Sequence, residues 1–144
     1  MKALRIYENA VAKVEEVEMP TIKDEMVKVH VKACGICGSD IPRVLNHTAH
    51  YYPITLGHEF SGIITEIGAN VTNVKVGDHV IGIPLIPCFK CIDCQNGDYS
   101  LCKNYNFIGS RTNGAMCEYI VLPKENVKKI DDSLDFHTAA LVEP

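Results

Sequence analysis

The chain has 144 residues, enough for one domain that buries roughly 70% of its unfolded surface. Apolar residues make up 47% and charged residues 22%, which argues against disorder, collagen and coiled coil. Fourteen basic against eighteen acidic residues give a formal charge of −4 with no Lys/Arg block, which argues against a nucleic-acid partner or an anionic membrane surface.

Residues 3–7 and 11–17 read as two short strands with a turn at Asn9-Ala10. Val27, Val29 and Val31 alternate with Lys28, His30 and Lys32, the period of a strand with one buried face. Residues 39–45 suit a short helix, with Ser39 as N-cap and Pro42 in the first turn. An apolar, β-branched run at 60–67 ends at Gly68, and Gly77-Asp78 marks a turn before a further strand at 79–83. Strands are expected at 117–122 and 127–130, and a helix begins at 135–142. Many short strands with glycine-marked turns predict a mainly β, barrel-like domain over residues 1–144. Strand–helix alternation is not sustained, and no G-x-G-x-x-G occurs. The longest uncharged apolar stretch, 80–89, is half of what a membrane span needs. The opening MKALRIYENA carries charges where an export signal needs an apolar segment, so a cytoplasmic location is expected.

Seven cysteines without an export signal read as metal ligands before disulfides. Cys88, Cys91, Cys94 and Cys102 stand as C-x2-C-x2-C-x7-C in a segment, 87–102, that lacks apolar periodicity. Four thiolates at this spacing suit one closed, structural tetrahedral zinc, because no position is left for water. An iron–sulfur cluster uses the same ligands and is not excluded by spacing. A second constellation is Cys37-Gly38-Ser39-Asp40 with Gly57-His58-Glu59. One thiolate, one imidazole and one or two carboxylates form the mixed, incomplete set of a catalytic zinc. Ser39 is placed to relay a proton from a bound alcohol, and Asp40 to accept the second N–H of His58.

The run GHEFSGIITEIGANV fits G-H-E-x2-G-x5-G-x2-V through Gly57, His58, Glu59, Gly62, Gly68 and Val71. With CGICGSD upstream and the four-cysteine lobe downstream, it resembles the zinc-dependent medium-chain dehydrogenases over nearly the whole chain. The resemblance implies a GroES-like irregular β-barrel with short helices and a zinc lobe at about 87–102. It implies NAD(P)-dependent oxidation of an alcohol, with two zinc ions per chain, one catalytic and one structural. Cys37, His58 and Glu59 match the catalytic zinc positions and Ser39 the proton relay. Glu143 matches a glutamate that approaches the same zinc directly or through water. Pro42 stands where some members have a relay histidine. The family continues into a Rossmann domain that holds the nicotinamide, so this sequence is expected to be a fragment, inactive alone. The family is usually dimeric or tetrameric. The runs AHYYPITLGHEFSG, IPCFKCIDCQNGDYSLC and NFIGSR resemble the polyol dehydrogenases, in particular a polyol-phosphate branch. Sorbitol (L-iditol) and threonine dehydrogenases are the alternative branches.

Two readings come from other classes: a zinc-stabilised binding domain without chemistry, which has no use for Cys37, His58 and Glu59 together, and a thiol redox sensor using Cys88 to Cys102. Cys34 and Cys117 read as buried structural thiols. His47 and His50 read as a solvated loop, and Tyr51 and Tyr52 as core. Arg43 and Arg111 are candidates for a substrate phosphate.

Overall fold

Alternating and β-branched apolar residues build the elements in this order: β1 (Lys2–Ile6), β2 (Ala12–Glu16), β3 (Met26–Cys34), α1 (Asp40–Leu45), β4 (Ile54–Thr55), β5 (Phe60–Ile67), β6 (His79–Gly82), β7 (Leu85–Ile86), α2 (Ile92–Gln95), β8 (Asn106–Phe107), β9 (Tyr119–Pro123), β10 (Val127–Lys129) and α3 (Phe136–Ala140). This computed structural model describes residues 1–8 and 10–144. Short 3-10 turns lie at Tyr99–Leu101 and Lys124–Asn126.

A five-stranded antiparallel sheet in the order β10-β6-β5-β3-β9 forms the body. A three-stranded sheet, β2-β1-β4, leans on it through an Ala3–Cys117 bridge and backbone bonds from Leu4 to Met116 and from Glu118 to Lys2. The pair β7-β8 carries the cysteine lobe at its end. This is the expected mainly β, irregular barrel with few short helices. Val27 and Val29 are fully buried, as their alternation predicts, and Val31 is partly buried. They pack with Phe60, Ile64, Val80, Leu122 and Val127 in the main core. A smaller cluster of Ile6, Ile54 and Leu56 sits under the second sheet, with Tyr52 packed against it. Among the described residues, no helix is long and apolar enough to cross a membrane.

Several boundaries shift from those expected. The strand at 117–122 begins two residues later, because Cys117 is taken up by the isolated bridge to Ala3. Ser39 precedes α1 but does not cap it. Its backbone is already helical (φ −72°, ψ −17°), whereas a capping residue needs an extended backbone to turn its oxygen onto the first N–H groups. Asp135 has that geometry (φ −67°, ψ 150°), and its carboxylate accepts from the His137 and Thr138 N–H groups. Of the expected Asn9-Ala10 turn, Ala10 has φ 58° and Asn9 lies outside the described residues. The two-residue strands β4, β7 and β8 have no readable period of their own.

Candidate metal centres

The antiparallel pairing of β3 with β5 determines where the first centre forms. Cys34, the last residue of β3, pairs with Phe60, the first of β5. The chain leaving β3 and the chain entering β5 therefore meet at one end of the sheet, and the Gly35 N–H donates to the Glu59 carbonyl at 2.7 Å. Cys37 lies three residues past that point on one strand, and His58-Glu59 immediately before it on the other. One donor atom from each of Cys37, His58 and Glu59 lies within 4.8 Å of the others. His58 and Glu59 are 5% and 7% exposed. Gly35 leaves room for the Glu59 carboxylate: a Cβ there would stand 2.3 Å from Oε2. Gly57 has φ +95°, and a Cβ on it would meet Cys34 Sγ at 2.6 Å. Its carbonyl accepts from the Ala115 N–H, which anchors the turn that delivers His58.

Ser39 Oγ donates to Cys37 Sγ at 3.2 Å and accepts from Arg43 Nη1 at 2.8 Å. Asp40 is 1% exposed, but its carboxylate does not meet His58 as expected. It accepts instead from the Cys37 N–H at 3.2 Å and from Arg43 Nη1 at 3.2 Å, because α1 turns Asp40 back toward the loop from which it starts. His58 Nδ1 is buried without a hydrogen-bond partner. A desolvated ring nitrogen without a partner costs free energy unless something fills its lone pair, and a metal ion does so. The donor set of thiolate, imidazole and carboxylate fits zinc. Phe107 packs edge-on against the His58 ring, centroids 5.5 Å apart. Glu143 is half-buried, three residues past α3, and is not in the three-donor group.

The second centre gathers Cys88, Cys91, Cys94 and Cys102, all sulfurs within 4.8 Å of one another. Cys91 and Cys94 Sγ are 3.5 Å apart and Cys88 and Cys94 Sγ 3.9 Å. A disulfide needs about 2.05 Å, whereas zinc–sulfur bonds of about 2.3 Å in a tetrahedron place sulfurs about 3.8 Å apart. A multi-iron cluster, with sulfide-bridged irons between the thiolates, needs a wider cage. The Lys90 and Cys91 N–H groups hold the Cys88 thiol below its ordinary range, while burial pushes Cys94 up. N–H donors stabilise a thiolate and orient it for a cation.

The remaining residues separate clearly. Burial pushes the Cys34 thiol up to about 12 and Cys117 up to about 11. Cys117 Sγ is taken up by the Gly114 and Tyr119 carbonyls. His47 and His50 are exposed, as a solvated loop requires. Tyr52 donates to the Arg43 carbonyl at 2.7 Å, while Tyr51 is 39% exposed. Arg43 is tied to Ser39, Asp40 and Ser110. Arg111 is exposed, its guanidinium 4.4 Å over the Tyr105 ring. Sequence reasoning missed Arg43 as a partner of Ser39 and Asp40, although the i,i+4 and i,i+3 spacing on a helix was a readable signal. Phe107 and Ser110 offered none, since they lie 49 and 67 residues from their partners His58 and Arg43.

The family model for the alcohol dehydrogenase GroES-like domain matches residues 23–132. Galactitol 1-phosphate 5-dehydrogenase of Escherichia coli K12 is 43% identical over all of this chain and 42% of its own length. Sorbitol dehydrogenase of Bacillus subtilis 168 is 37% identical over the same shares. The crystal structure of galactitol-1-phosphate dehydrogenase from Escherichia coli superposes with a TM-score of 0.97 at 43% identity, over 99% of this chain and 42% of that one. A Sinorhizobium meliloti 1021 protein assigned as a zinc-binding dehydrogenase and solved with NADP gives 0.90 at 35% identity, over 97% and 41%. The chain thus spans less than half the length of these relatives.

Proposed function

We propose, from the premise that this chain belongs to the alcohol dehydrogenase GroES-like domain family, that it is the metal-bearing part of a zinc-dependent polyol dehydrogenase. Residues 1–144 are the N-terminal part of the catalytic domain, with a structural zinc lobe at 87–102. The observation that carries this reading is the presence of two separate donor sets. One is closed, with four thiols. The other has three donors of mixed type, with the exposed Ser39 hydroxyl beside the thiol.

Cys37, His58 and Glu59 would hold a catalytic zinc, which would supply a Lewis acid to the substrate hydroxyl. Glu143, outside the three-donor group, is assigned an approach through water. Thiolate and carboxylate would balance the dication and leave the site neutral overall. Ser39 Oγ, anchored by Arg43, takes the substrate hydroxyl proton on its free lone pair as its own O–H swings from Cys37 Sγ to a water, which receives that proton. NAD(P)+ would supply the hydride acceptor that turns the alcohol into a ketone. The nicotinamide is assigned to the length of protein this chain does not span. Asp40 holds the Cys37 amide rather than the His58 ring.

The substrate favoured by the 43% relative is a hexitol phosphate, galactitol 1-phosphate, oxidised at carbon 5. With Arg43 tied down, Arg111 is the arginine left to meet the phosphate. The enzyme works in the cytoplasm, and as a dimer or tetramer, the latter as the family resemblance implies. The test is the ratio of kcat/KM for galactitol 1-phosphate to that for sorbitol, measured on the whole protein. A charge-assisted contact of about 1.5–3 kcal/mol predicts a preference of about tenfold or more for the phosphate ester. Equal or better use of sorbitol assigns the protein to the sorbitol dehydrogenase branch.

A further inference from the structure

Arg43 sends one guanidinium to three residues on two segments. Nη1 donates to Ser39 Oγ at 2.8 Å and to Asp40 Oδ1 at 3.2 Å, and Nη2 donates to Ser110 Oγ at 3.3 Å. Both groups held by Nη1 end on Cys37. With one lone pair of Ser39 taken by Arg43, the single hydroxyl proton points at Cys37 Sγ, 3.2 Å away. Asp40 Oδ2 in turn accepts the Cys37 N–H. The third partner, Ser110, lies three residues after Phe107, whose ring packs against His58. One side chain therefore joins the loop that carries the thiolate to the segment that backs the imidazole. Arg43 is itself fixed, since its carbonyl accepts from Tyr52 Oη at 2.7 Å.

Charge points the same way. Asp40 and Arg43 side chains are 2% and 18% exposed, an ion pair largely removed from water. A bound dication would balance Cys37 and Glu59, and Arg43 balances Asp40. Without Arg43, a buried carboxylate would stand unpaired against the Cys37 loop. Lysine is no equivalent, because a point ammonium cannot reach three acceptors in a fork.

We propose that Arg43 is a positioning residue for the Cys37–His58–Glu59 metal site: it aims the Ser39 hydroxyl at the thiolate and locks the Cys37 loop against the segment holding Phe107 and Ser110. This rests on the reading of that site as a metal centre. The test is a cobalt(II) titration of this chain, wild type and the variants Arg43→Lys, Arg43→Met and Ser110→Ala, with Cys37→Ser as the spectral blank. The four-cysteine site reports folding in each sample. Both Arg43 variants are expected to lose tenfold or more of cobalt affinity at the Cys37 site and none at the four-cysteine site. Their sulfur-to-cobalt charge-transfer band should move to longer wavelength, because a thiolate without its O–H donor gives up an electron more easily. Ser110→Ala should move affinity in the same direction by less, and it decides the question together with Arg43→Lys if Arg43→Met does not fold. Unchanged affinity and an unchanged band in the Arg43 variants overturn the inference and leave the metal centre standing. A wild-type chain that takes up cobalt only at the four cysteines overturns both.

Discussion

His58 carries a buried ring nitrogen with no hydrogen-bond partner, as His79 does, but His58 alone of the two stands in a three-donor group, with Cys37 and Glu59, and that separates a ligand from an ordinary histidine. The residue types of this centre were legible from GHE and CGSD. The wiring was not, because it depends on where α1 turns: Asp40 bends back to the Cys37 amide, and Ser39 has the wrong backbone to cap a helix. Substituting one donor tests the wiring at this scale. His58→Ala should empty the first centre, with turnover lost in the whole protein, while the four-cysteine site stays filled. Full turnover with only one zinc left would contradict the ligand assignment. Thiol chemistry gives a second residue-scale test. Cys34 and Cys117 are pushed up to about 12 and 11, so at pH 8 roughly one in ten thousand and one in a thousand are thiolate. With both metal sites loaded, iodoacetamide at pH 8 should leave both unmodified by mass spectrometry. Rapid alkylation of either would show a thiol far less enclosed than its burial indicates.

Elements differ in what holds them. The strand at 60–67 coincides with β5 because one run of apolar and β-branched residues decides it, whereas β7 and β8 are too short to show a period. The lobe at 87–102 is the opposite of β5. Its helix α2 has four residues, and Ile92 and Leu101 are 66% and 61% exposed. Burial supplies little there, so the lobe is held by its metal, which can contribute on the order of 10 kcal/mol at neutral pH. Cys91→Ser or strong chelation should raise amide exchange across 87–102 while β3, β5 and β9 stay protected. Unchanged exchange after verified metal removal would refute a metal-dependent lobe. The turn before His58 gives another element-scale test. Gly57→Ala places a Cβ against Cys34 Sγ and Met116 at φ +95°. It should cost about 2–3 kcal/mol in chemical denaturation and weaken zinc at the first centre.

At the scale of the molecule, the pairing of β3 with β5 inside the five-stranded sheet places Cys37 beside His58 and Glu59, and β7-β8 supports a separate lobe. The fold class was readable from strand periodicity and turn glycines, and the two metal sets from cysteine spacing and the GHE motif. The packing of β1-β2-β4 against the main sheet was not, because its bridges join residues more than 100 positions apart, such as Ala3 with Cys117. One small β domain built to hold two metal ions of different purpose should show both in zinc counting by inductively coupled plasma mass spectrometry on the wild-type chain and on Cys37→Ser. Two zinc ions are expected per wild-type chain and one per Cys37→Ser chain, the remaining ion held by Cys88, Cys91, Cys94 and Cys102. One zinc per chain in both proteins would contradict this.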